Sequence, residues 1–320
     1  MSAHYGALGN QPVAVQAAQD ALLAGSSAVS AVLTGFFAAC GAHAGVLMGP
    51  LSILVAGVGS GVRAFDGRLR QPGLGTKRPR GFVADDEIPV AARVAVPKSV
   101  AAAVVAHAYD RGGPIAEVIK RGIRQAKQVG SDVRAEVLQS VRSQGAKALS
   151  STTFTRPLLR VAGVSEGGLV TTADLSAVFD LDLAATIHPG AQDWIEAPWA
   201  QEATDASAST SGSLLMALVA VDNRGVFAGA AYSWTTSGVV IEELELEAPA
   251  SAMPVMRGVT RIAPGCPIPS AVPIAIKLRA GQPVAMVCDP RARRLDAESI
   301  EQAPMRIDRD PDSRLVTTQG

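Results

Sequence analysis

Between Asp20 and Arg63 the chain has no Asp, Glu, Lys or Arg, and its only titratable side chains there are Cys40 and His43. A stretch so free of charge belongs in a bilayer or in a protein core. A bilayer span needs roughly 20 consecutive apolar residues, and Gly25, Gly35, Gly41, Gly45, Gly49, Pro50, Gly57, Gly59 and Gly61 divide this one into shorter pieces. It therefore reads as core, with no membrane partner: a helix over residues 28–39 that is apolar on every side, then short strands over 51–55 and 61–65 joined by the glycine-rich turn GVGSG. An amphipathic helix over Pro12–Leu23 precedes it, and Ser26 or Ser27 is placed to cap the second helix.

Beyond this stretch, residues 77–93 read as a surface loop, Pro97 opens a further helix, and residues 115–150 extend the helical region. The segment GGLVTTADLSAV holds a short extended stretch and a turn capped by Thr172. Residues 179–211 read as an irregular connection. Strand-like runs follow over 214–221, 226–233, 239–246, 274–278 and 284–287, separated by turn signals such as DNRG and RAGQP. Residues 309–320 show no pattern and read as a frayed tail. The expected organisation is one α+β domain over residues 1–308, with a helix-rich half (1–178) and a strand-rich half (212–308).

Composition removes several functions. The 29 basic and 29 acidic residues cancel and only 4% of residues are aromatic, so nothing marks a nucleic-acid partner. Three cysteines without C-x-x-C spacing build neither a disulfide framework nor a zinc site, and no metal or cofactor is expected. The opening MSAHYGALGNQP has no basic region followed by an apolar one, which points to a cytoplasmic protein. The long apolar helices make a homodimer, or association with a related chain, the expected assembly.

Six segments, in order, resemble the gamma-glutamyltranspeptidases. NQPVAVQAAQDALLAGSSAVSAV is similar to that family's opening helices, and AFDGRLRQPG to its Asp-Gly-Arg-Glu-x-Ala-Pro segment, with Asp66, Gly67, Arg68 and Pro72 in register. VAVPKSVAAAVVAHAYDRGG, EGGLVTTADLSAV, VAVDNRGVFAGAAYS and IAPGCPIPSAVPIAIKLRAGQPV match later family segments. The resemblance implies a four-layer αββα sandwich. It also implies the chemistry of N-terminal-nucleophile hydrolases: a precursor cuts itself and frees a threonine, whose amine and hydroxyl attack gamma-glutamyl amides.

The departures fall on the chemistry. The family's Thr-Thr-His-x-Ser-Val-Val-Asp, counted back from Asp222, puts the nucleophile on Leu215, which can neither attack nor self-cleave. The oxyanion glycines fall on Arg291 and Ala292, the paired serines become Pro269 and Ser270, and the glycine-rich loop is reduced to GVLMGP at residues 45–50. A long helical insertion of the family is missing near residues 179–211. By resemblance, Arg68 clamps a ligand's carboxylate, with Asp66, Ser270 and Glu243 beside it; the planar fork of arginine suits that role. The alternative for Arg68 is a salt bridge to Asp66. If the guanidinium kept its role, it would be held by at most one carboxylate, and its replacement would leave folding nearly unchanged.

Other residues carry weaker signals. A slip of two residues would put Ser213 on the face of Leu215, and Ser213 or Thr210 could then serve as a nucleophile, although the surrounding serines also read as a linker. Glu242, Glu243, Glu245 and Glu247 could align on one strand face. His43 has no carboxylate near it in sequence and reads as a core or loop histidine, and Arg291, Arg293 and Arg294 as a surface cluster. The expectation is a noncatalytic or divergent family member binding a small carboxylate-bearing molecule, or serving as a structural subunit. The alternative is an active amide hydrolase or gamma-glutamyl transferase.

Overall fold

The charge-free stretch lies at the centre of the molecule. A computed structural model describes residues 4–57, 61–77, 81–110, 112–189, 193–202 and 213–320. In it the stretch forms helix α2 (Ala28–Ala42) and the hairpin of β2 (Leu51–Gly57) and β3 (Gly61–Gly67). Residues 51–56 are all buried because β2 is covered on both faces, which is why its sequence is an unbroken apolar run. Ser27 caps α2, its hydroxyl accepting from Ser30 N at 3.1 Å. Asp222 reinforces the start of that helix by accepting from Ala28 N at 3.1 Å.

Among the described residues, two six-stranded sheets, antiparallel throughout, stack face to face. The first has the order β1 (Gly6–Gly9), β7 (Ser213–Val221), β8 (Phe227–Thr235), β2, β3, β4 (Asp182–Ala184). The second has the order β14 (Val316–Gln319), β13 (Met305–Arg309), β12 (Gln282–Cys288), β11 (Ile274–Arg279), β6 (Trp194–Glu196), β5 (Thr186–His188). Side chains alternate across the first sheet. Ile53, Phe65, Leu218 and Tyr232 face the helices, while Leu54, Ala64, Ala217 and Ala231 meet Ile195, Ile276, Met286 and Ile307 of the second sheet. On that sheet's outer face, Ala275 and Val287 pack against Leu295 and Ile300 around the short helix Ala297–Glu301. The layers are thus helices, sheet, sheet, helix. This is the expected αββα sandwich, with a thin fourth layer among the described residues. No helix there is long and apolar enough to cross a membrane.

Several local expectations are corrected. Residues 309–320 are not frayed among the described residues: β14 pairs with β13, and Asp310 closes the turn by accepting from Asp312 N at 2.9 Å and Ser313 N at 2.7 Å. A four-residue edge strand with mostly exposed side chains leaves no period in the sequence. The connection over 179–211 contains β4, β5 and β6. Thr171, not Thr172, caps the helix Thr172–Ser176, in a reciprocal box with Asp174. The run 239–246 is not one strand, because a 3-10 turn at Glu242–Leu244 and a left-handed Glu245 (φ 49°) fold it into a hairpin.

Candidate functional site

The DGR segment ends β3 on the face between the two sheets. Asp66 is 2% exposed, and its carboxylate takes Arg68 Nε at 2.9 Å, Arg68 Nη2 at 3.0 Å and Arg70 Nη2 at 3.0 Å. Burial alone would raise its pKa. The hydrogen bonds and charge of Arg68, with the charge of Arg70, outweigh burial and hold the carboxyl below its ordinary value. The guanidinium of Arg68 also donates through Nη1 to Glu202 and lies under the Trp199 ring, 4.9 Å from its centre. Trp199 is fixed in turn by its Nε1–H donating to Ser52 Oγ at 3.1 Å.

Arg68 is therefore held by two carboxylates, not by at most one. With Arg68 and Asp66 side chains 5% and 3% exposed, its removal is also not neutral for folding, because a buried carboxylate loses its main partner.

A second segment runs beside it. Gln71 N donates to Cys266 O at 2.9 Å and Ile268 N to Leu69 O at 2.8 Å, and Arg70 bridges to Pro267. Ser270 follows on that segment, two residues after Ile268. Its hydroxyl oxygen is buried and makes no hydrogen bond among the described residues.

Ser213 starts β7 opposite Thr235, and Leu215 lies opposite Ser233. Both face the gap between the sheets, like Ala217. Ser213 Oγ is 3.5 Å from Thr235 Oγ1. Through the pairs Leu215↔Ser233, Leu51↔Tyr232 and Leu51↔Gly67, Arg68 stands level with Leu215, three strand spacings or about 14 Å away. Asn10 pins this end of β7, donating to Leu215 O at 3.0 Å and accepting from Ala217 N at 2.9 Å. The loop over residues 45–50 packs there too, Gly45 O accepting from Thr235 N at 3.2 Å.

His43 closes the helix-side edge, stacked on Trp234 with ring centres 3.8 Å apart. Gln11 Oε1 accepts from Ala14 N at 2.7 Å, so its amide nitrogen is the atom facing His43 Nε2 at 2.8 Å. That makes His43 Nε2 an acceptor and the ring neutral. Burial, and then the charge of Arg134, lower its pKa from 6.5. A depressed folded pKa gives stability that is present above the unfolded value and lost as pH falls through the folded one. Unfolding free energy should therefore decline as pH drops below 6.5, in step with protonation of the His43 ring followed by NMR. A His43 midpoint above 6.5 contradicts this.

The other candidates lie elsewhere. Glu243 sits in the 3-10 turn and pairs with Arg160 at the surface; Glu245 binds Ser131 and Glu247 binds Gly238 N, so the acidic run makes no common face. Thr210 lies outside the described residues. Arg291 forms a pair with Asp289 at 3.0 Å, and Arg294 with Glu196 at 2.8 Å, so these arginines do not converge on one point. A cavity of about 700 Å³ opens on the second sheet's outer side, around Lys277, Arg306, Asp308 and Thr317, and contains none of the candidate residues. Sequence reading missed Trp199 and Glu202, whose segment carried no motif. The one available signal was a tryptophan and a glutamate three residues apart in an otherwise small-residue stretch.

No protein-family model matches the chain, and no curated protein does either. Solved structures do. A cephalosporin acylase from Bacillus halodurans aligns over 88% of this chain and 76% of its own, with a TM-score of 0.68 and 14% identity. A structure described as LmbA2991T421A aligns over 99% of this chain and 96% of its own, with a TM-score of 0.64 and 14% identity. A gamma-glutamyltranspeptidase from Helicobacter pylori aligns over 59% of this chain and 68% of its own, with a TM-score of 0.46 and 17% identity. The chain shares the fold of the first two of these structures, and its αββα sandwich is the architecture that the resemblance of its motifs implied.

Proposed function

We propose that this chain is a noncatalytic or strongly divergent gamma-glutamyltranspeptidase-like protein that holds a small carboxylate-bearing molecule at Arg68. The reading is supported by one placement: the guanidinium of Arg68 lies between the sheets, at the end of β3 and under the Trp199 ring. A planar guanidinium can donate to both oxygens of a carboxylate. Leu215, level with Arg68 where the resemblance puts the nucleophile, offers no atom that can attack an amide.

The alternative, an amide hydrolase using Ser213, is favoured by the placement of that hydroxyl at the head of β7. Its neighbour Thr235 is no base, so activation would require the α-amine freed by cleavage before Ser213. Mass spectrometry of the purified protein separates the two readings. The expected result is a single intact chain of 32.8 kDa; two fragments split between residues 205 and 215 would establish the alternative. Calorimetric titration with L-glutamate tests the binding itself. Arg68→Lys keeps the charge and loses the fork, and should weaken binding at least tenfold. Equal affinity in the two proteins would remove Arg68 from the site.

A further inference from the structure

Glu202 holds an unusual position for a carboxylate on a buried arginine. The Arg68 side chain is 5% exposed while that of Glu202 is 52% exposed, so Glu202 reaches in from the surface and leaves it little changed on departure. Its backbone N–H donates to Trp199 O at 3.1 Å, so a single turn carries both the ring over the guanidinium and the carboxylate at its edge. Asp66 takes Nε and Nη2 with a side chain that cannot leave, since it is 3% exposed and also holds Arg70. The edge of Arg68 that an incoming carboxylate could take is therefore Nη1, and Glu202 is on it.

We infer that Glu202 is a built-in competitor of the ligand, occupying on Arg68 the place of the ligand's carboxylate and leaving when the ligand binds. The inference rests on the proposed ligand role of Arg68. It adds that the site is self-filled at rest and opens only to a molecule whose carboxylate outcompetes a tethered one. A tethered carboxylate present nine-tenths of the time lowers apparent affinity about tenfold, because only the open fraction binds. Removing its charge restores that factor. Half exposure makes the substitution tolerable for the fold, in contrast to changes at Asp66.

The test is titration calorimetry of the full chain with two probes, L-glutamate and glutarate, on the unmodified protein and on Glu202→Gln, Glu202→Ala and Arg68→Lys. Both Glu202 variants should bind each probe about tenfold more tightly than the unmodified protein, and adding Arg68→Lys to either should abolish the gain. Unchanged affinity in both Glu202 variants overturns the competitor role; if Arg68→Lys still weakens binding, the proposed function survives that failure. Weaker L-glutamate binding with unchanged glutarate binding also overturns it, because Glu202 would then be receiving the ligand's ammonium. If neither probe binds any of these proteins, both the competitor role and the carboxylate site are overturned.

Discussion

Asp66→Asn should lower the unfolding free energy by about 3–5 kcal/mol, the loss typical of breaking one side of a buried ion pair. Asp66 is almost fully enclosed, and its two oxygens receive the backbone N–H of Arg68 at 3.0 Å as well as both guanidinium groups. The amide keeps one acceptor and brings an N–H against two cations, leaving Arg70 buried with its Nε already unpaired among the described residues. Urea unfolding of the two proteins side by side measures the difference. The pH dependence should change as well. With a folded pKa below the ordinary 3.8, Asp66 contributes stability above that value which is lost as pH falls through the folded pKa. The variant should lack this part of the acid sensitivity. A loss under about 1 kcal/mol, set against the penalty expected of a buried pair, would show that the Asp66–Arg68–Arg70 cluster does not hold the end of β3.

Gly45→Ala should cost about 3 kcal/mol, at the upper end for forcing an extra methyl into a packed site. A Cβ there would stand 2.0 Å from Thr235 O, 2.8 Å from Thr235 C and 3.0 Å from Thr235 Cα. All three are backbone atoms of β8, so no side chain can swing aside and either the loop or the strand end must move. Gly49 repeats the constraint one turn later, its Cβ falling 2.7 Å from Ser233 O. Thr235 and Ser233 face Ser213 and Leu215, so the movement reaches the site region. The Gly45→Ala protein should therefore lose stability in urea and show a changed tryptophan signal from Trp234, next to the displaced residue. A variant as stable as the parent, with unchanged fluorescence, would mean that the loop does not set the position of β8.

Some of this could be read residue by residue. The helix over Pro12–Leu23 and the buried α2 followed from period and from absence of charge, because a side chain's tolerance for water is a local property. The start of α2 at Ser27 was legible to within one residue, since capping depends on the next three positions alone. The hairpin at 239–246 was not. Its alternating glutamates fit a strand, and the left-handed Glu245 that breaks it is held by Ser131 and Arg134 from a distant helix. The C-terminal strand β14 also escaped notice, because an edge strand is stabilised by its partner's backbone and not by its own side chains.

Around Arg68, the sequence by itself determined the chemistry of single side chains. Leu215 is an alkyl group in any fold, and Arg68 a permanent planar cation with a fixed donor fork. Only the tertiary structure decided what that cation touches. Electrostatic and hydrogen-bonding partners are set by proximity in space, which chain order does not encode for residues as far apart as Arg68 and Glu202. The tertiary structure also shut Asp66 away from water, and burial is what separates a strand-end salt bridge of little consequence from one that holds the end of β3 in place.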